Sequence, residues 1–151
     1  MATMVSCSRK GEVFDFIRSK WVAKTPEEQV RQALLRHMVY DLGFPKEHIV
    51  VEQELGRMPH LIARSLPSRR FDIACFAKDI HPEHPFYPLL LVECKALGGR
   101  PLEQLMGYNA HVKAYCLAVA DERGLQVALL REGSYCFLET LPPYKELICM
   151  I

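Results

Sequence analysis

The 151-residue chain has no apolar run of the about 18 residues that a membrane-spanning helix needs, and its opening MATMVSCSRK lacks the apolar core of a secretion signal. Neither membrane insertion nor export is expected, which makes the cytoplasm the expected compartment. C-x-x-C pairs and histidines at zinc spacing are also missing. Cys7, Cys75, Cys94, Cys116, Cys136 and Cys149 lie scattered, as free thiols of a reducing compartment do, and neither a disulfide framework nor a structural zinc is expected. No G-x-x-x-x-G-K-[ST] occurs, so the chain carries no recognisable ATP site and no ATP-driven motor is expected of it. Charge of one sign is lacking too: 19 Lys and Arg against 18 Asp and Glu leave a net +1. That balance does not announce a nucleic-acid binder, although Arg57, Arg64, Arg69 and Arg70 share one segment and could form a local patch.

What is present is a core's worth of apolar residues. Half the chain is hydrophobic, and no repeat, low-complexity stretch or linker divides it, so residues 1–151 read as one domain with its core over about 13–130. One or two short strands are expected between Val13 and Val22. Thr25-Pro26-Glu27-Glu28 is a capping box, with Thr as N-cap, Pro first and Glu third, ahead of a helix predicted over Pro26–Leu42. Val30, Leu34, Leu35, Met38 and Leu42 form its apolar stripe, and Gly43 and Pro45 end it. Strands are predicted at His48–Leu55, Phe71–Ala77, Pro88–Cys94, Tyr115–Ala120, Leu125–Leu130 and Ser134–Leu138. Gly56–Arg69 reads as an irregular excursion, and a second helix is opened by Arg100-Pro101 and runs to about Lys113. The composite is an α/β fold, a central mixed sheet flanked by helices.

One strand poses a chemical question. LLLVECK, Leu89–Lys95, is apolar on both faces, with Leu89 and Leu91 on one and Leu90 and Val92 on the other, yet Glu93 and Lys95 extend the first of them. A desolvated charge there needs a partner or a metal. If Phe71–Ala77 and Pro88–Cys94 form a hairpin turning near Glu83, Asp72 lies within a residue of facing Glu93 or Cys94. Two carboxylates side by side repel unless a hard divalent cation such as Mg²⁺ sits between them. Lys95, about 7 Å further along the strand, would touch whatever the metal holds, and a phosphodiester fits such a site. A buried Asp72–Lys95 or Glu93–Lys95 ion pair satisfies the same spacing.

Phe71-Asp72, a hairpin of about twenty residues and Glu93-Cys94-Lys95 together resemble the PD-(D/E)xK nuclease signature. More narrowly, TPEEQVRQALLRHMVYDLGFPKEHIVVE, RRFDIACF, PLLLVECKA and QLMGYNAHVKAYCLAV, in this order, resemble the N-terminal nuclease domain of type I restriction enzyme R subunits, specifically the small stand-alone proteins of that group. The likeness covers roughly Val13–Leu130. It implies a restriction-endonuclease-like core and a DNA endonuclease using Mg²⁺ or Mn²⁺. Asp72, Glu93 and the Cys94 backbone carbonyl would be the metal ligands, Lys95 the catalytic lysine, Glu28 the helix glutamate, and Gln104 and Tyr108 the Gln-x-x-x-Tyr pair that contacts substrate. Phe71 stands where the superfamily name has Pro. The motor of the large R subunits has no counterpart, so a module that keeps the fold and binds nucleic acid or protein without cutting is the rival reading. A second copy or a partner protein would help so small a domain embrace a duplex.

Several neighbours compete for roles. The third position of a capping box uses Glu28 for hydrogen bonding alone, with Glu27 the substitute if Glu28 points away. Gln104, Tyr108, His111 and Tyr115 form a polar stripe in which the last two read as bystanders. Arg31 falls among the apolar positions of its helix and should pair with a carboxylate near Glu28 or Asp72. His37, His48, His60, His81 and His84 show no ligand pattern.

Overall fold

The computed structural model describes residues 9–95 and 101–151, so Cys7 and the Arg100 helix opening lie outside the described residues. Strands β1 (Glu12–Asp15) and β2 (Lys20–Ala23) form a hairpin, in register from Glu12 opposite Ala23 to Asp15 opposite Lys20. Its turn is held by Asp15, whose Oδ1 accepts the backbone N–H groups of Ile17 and Arg18, each at 2.9 Å.

Helix α1 (Pro26–Arg36) starts as the capping pattern predicts, with Thr25 Oγ1 accepting the Glu28 N–H at 3.1 Å. Its far end differs. A wider π turn occupies His37–Asp41, where the Leu42 N–H donates to the His37 carbonyl, before Gly43 at φ 73 turns the chain away. Leu34, Leu35 and Met38 are buried as their spacing requires, and Val30 and Leu42 pack at the margin.

Strands β3 (Ile49–Glu54), β4 (Arg70–Lys78), β5 (Phe86–Cys94), β6 (Cys116–Asp121), β7 (Gly124–Arg131) and β8 (Ser134–Leu138) make one sheet in that order. Neighbours are antiparallel except β5 and β6, whose parallel pairing needs a crossover carried by α2 (Pro101–Val112). The fold is therefore the expected mixed sheet flanked by helices. On one face Leu34 and Leu35 of α1 and Met38 of the π turn pack with Ile73, Leu90 and Ala118; on the other Leu105 and Val112 of α2 pack with Ala74, Leu91 and Leu117. A short α3 (Tyr144–Met150), which the sequence reading did not anticipate, seats Leu147 in the α1-side core and Tyr144 edge-on to Phe44 at 5.5 Å.

Strand β5 corrects one expectation. Its register jumps from Cys75 opposite Leu90 to Phe76 opposite Pro88, so β5 holds an extra residue at Leu89. Leu89 thereby joins Leu90 and Val92 in the α1-side core, and Leu91 faces α2 without it. Beyond the bulge the alternation is regular, which carries Glu93 to the α2 side and buries the Cys94 thiol on the other.

The exit from α2 depends on Asn109. Its side chain accepts the Ala114 N–H at 2.8 Å and donates to the Ala114 carbonyl and to Tyr135 Oη, both at 3.1 Å, while Lys113 takes a left-handed φ of 58°. Asn109→Ala would strand two buried backbone groups. It is expected to cost about 2 kcal/mol in urea unfolding, and an unchanged midpoint would show that α2 is held without this clamp. Among the described residues no helix is long and apolar enough to cross a membrane, and the five cysteines are free thiols.

Candidate active site

The β4–β5 pairing, continued one residue beyond Ile73 opposite Val92, sets Asp72 across from Glu93. Asp72 Oδ2 accepts the Cys94 backbone N–H at 2.7 Å, which fixes this carboxylate at the end of β5. Glu93 is only 3 % exposed. Arg69 Nη2 stands 3.0 Å from its Oε1, and Lys95 Nζ 3.9 Å from its Oε2. The Arg69 contact is close but off the hydrogen-bond direction, so Glu93 Oε1 and Arg69 Nε are both buried without a hydrogen-bond partner. Burial pushes the Glu93 carboxyl up to about 7, and the Asp72 charge beside it acts the same way; Arg69 and Lys95 offset this only in part.

Asp72, Glu93, Cys94 and Lys95 border an open cleft of about 650 Å³, with Arg69 and Arg70 on its wall. Two adjacent carboxylates, one with a buried oxygen that makes no hydrogen bond although Arg69 stands beside it, are a hard-oxygen set that suits Mg²⁺ or Mn²⁺. Among the described residues no three His, Cys, Asp or Glu side chains converge on one metal position. The Glu93–Lys95 ion pair of the alternative reading is also present, at 3.9 Å, with Arg69 nearer still to Glu93 at 3.0 Å.

Glu28 does not share its carboxylate with the cap. Its N–H serves Thr25, while Oε1 accepts from Arg18 Nη2 at 3.2 Å and Oε2 from Arg31 Nε. Glu27, one residue earlier, borders the cleft instead. Arg31 finds the carboxylates its position demanded: besides Glu28, its Nη1 lies 3.7 Å from Asp72 Oδ1 and its Nη2 3.7 Å from Glu52 Oε1. Burial opposes its charge, but Glu28, Asp72 and Glu52 together hold its pKa above the ordinary value.

Glu52 and Arg69 are the contributors that sequence reasoning missed. Glu52 sits in β3 at φ 60°, between the regular pairs Val51–Ile73 and Gln53–Phe71, and reaches Arg18 at 3.0 Å, Arg31 at 3.7 Å and Arg70 at 3.9 Å. A glutamate inside a strand signals nothing of this backbone. Arg69 was visible as one basic residue of four, but the patch divides: Arg57 pairs with Glu54 at 3.1 Å on the surface, whereas Arg69 turns inward.

The Arg69 guanidinium lies 4.9 Å from the Tyr108 ring centroid and 5.8 Å from that of Phe71, tying β4 and β5 to α2. Arg69, Gln104, Gly107, Tyr108 and His111 line a second cleft of about 400 Å³. Gln104 and Tyr108 thus meet at Arg69, and His111, read as a bystander, joins them. Tyr115 is structural: buried, its Oη accepts from Arg131 Nε at 3.2 Å and donates to the Met150 carbonyl at 3.4 Å. His60, His81 and His84 gather beside Tyr87 at ring distances of 4.9–5.9 Å, away from these clefts.

No curated protein and no solved structure gives a significant match to the chain. A family model described as the type I restriction enzyme R protein N terminus matches residues 26–142, a span holding Glu28, Asp72, Glu93, Lys95, Gln104 and Tyr108. The hairpin that supplies Arg18 precedes it. With more than three quarters of its length so matched, the chain belongs to the family of type I restriction enzyme R protein N-termini.

Proposed function

We propose that the chain is a Mg²⁺- or Mn²⁺-dependent DNA endonuclease of the PD-(D/E)xK type. The observation that carries this reading is that Asp72, held by the Cys94 N–H, and the buried Glu93 stand side by side at a cleft that Lys95 also borders. Family membership supports DNA as the polymer. Asp72, Glu93 and the Cys94 carbonyl would hold the metal ion, which when bound polarises a phosphate oxygen and lowers the pKa of a water.

The chain's own groups do the rest. The Cys94 N–H and Arg31 orient Asp72, so its carboxylate meets a cation without searching rotamers. Glu93, whose carboxyl burial pushes up to about 7, would have to be ionised to serve as a ligand. Lys95, half exposed at the rim, positions the attacking water and offsets the charge that grows on the phosphate. Arg69 and Arg70 bring positive charge to the backbone, and Gln104 and Tyr108 meet the adjoining nucleotide from α2. One chain carries one such set, so cutting both strands calls for a second copy or a partner protein.

The test is nicking of supercoiled plasmid with Mg²⁺ or Mn²⁺. Wild type should cut without ATP, and Lys95→Ala should be slower by about 10²-fold. If the two proteins behave alike, Lys95 is not catalytic and the non-cleaving module is the better reading.

A further inference from the structure

We infer that Arg31 occupies the place a second divalent cation would take, so that the centre holds a single metal ion, with Glu28 and Glu52 as positioning residues for Arg31. The inference rests on the metal-dependent reading of the Asp72 and Glu93 pair and specifies how many ions that pair recruits.

Glu28, Glu52, Asp72 and Glu93 are among the carboxylates at this end of the sheet. Arg31 touches three of them, through Nε to Glu28, Nη2 to Glu52 and Nη1 to Asp72. A guanidinium has the flat, forked donors to do this, and its charge is permanent. Glu28 has no oxygen to spare, because Arg18 takes Oε1 and Arg31 takes Oε2, and the residue is 5 % exposed. A divalent ion between Glu28 and Asp72 would have to displace Arg31 or share its contacts at like charge.

Glu52 strengthens the arrangement. Its left-handed backbone is a sparsely populated state for a glutamate, kept where the surroundings over-determine it. Here Arg18, Arg31 and Arg70 do so. Glu93 also has cations beside it, Arg69 at 3.0 Å from Oε1 without a hydrogen bond and Lys95 at 3.9 Å from Oε2, but Asp72 and Glu93 both border the open cleft, whereas Glu28 is 5 % exposed. One side of Asp72 therefore faces the buried Arg31 and Glu28, and the other faces the cleft.

Mn²⁺ titration of the full chain, followed by calorimetry and by electron paramagnetic resonance, reads the count without any cleavage. Wild type should bind one Mn²⁺ that Asp72→Asn abolishes. Two Asp72-dependent ions would overturn the inference and leave the metal-dependent reading intact, whereas none would remove both. In Arg31→Ala, a second ion is expected to enter among the freed carboxylates. If the folded variant stays at one ion, Arg31 is not what excludes the second, and the inference fails. Should the variant not fold, the wild-type count decides alone.

Discussion

Glu93→Gln should abolish cleavage while making the metal-free protein more stable at pH 8. The loss of activity follows from removing a proposed ligand and should reach at least about 10³-fold, the equivalent of several kcal/mol of transition-state stabilisation. The gain in stability follows from linkage. The carboxyl is raised from 4.5 to about 7 in the fold, so between those values the native protein holds a proton that the unfolded chain has released. Its contribution is complete below pH 4.5 and is lost as pH rises through about 7. A glutamine never ionises and escapes that penalty, whose ceiling is about 3 kcal/mol. Arg69 loses its anion in the variant, so the net gain should be about 1–2 kcal/mol at pH 8 and absent at pH 5. Denaturant unfolding in EDTA at the two pH values measures this. An equal difference at both would mean that Glu93 titrates like an exposed carboxyl.

Arg31→Leu should be the most destabilising single change at the centre, by about 3–5 kcal/mol, because it leaves Glu28 buried with half its partners. For a domain of this size the melting temperature should fall by about 10 °C. Adding Glu28→Leu should recover much of the loss, since a buried ion pair replaced by apolar groups of similar volume is often neutral. A double variant as unstable as the sum of its singles would show that the two charges are not energetically coupled.

Much of the fold was legible because its signals are local. Thr25-Pro26 and the capping pattern depend on residues within one turn, and the helix they start is where they put it. The β4–β5 hairpin follows from two apolar runs around HPEHP, and its register, with Ile73 opposite Val92, leaves Asp72 beside Glu93 and Cys94, within the one residue that the turn position allowed. The widened end of α1, the bulge at Leu89 and α3 were not legible. Each is settled by what the segment packs against: a π turn and a bulge exchange one hydrogen-bond partner for another at little local cost, and α3 is too short to show a period.

At the centre the division is similar. Spacing alone placed Asp72, Glu93 and Lys95 together, because strands convert sequence separation into distance with a fixed rise. It also foresaw that Arg31 must find an acid, since a cation on an apolar stripe cannot stay unpaired. What the tertiary structure decided is which acid meets which base. Glu28 turned to Arg18 and Arg31, Glu52 joined them through a left-handed backbone, and Arg69 left a surface patch to face Glu93 and Tyr108. Ion pairs between segments far apart in the chain carry no periodicity, and their choice of partner depends on burial and on small differences in distance that appear only once the sheet and helices have closed around them.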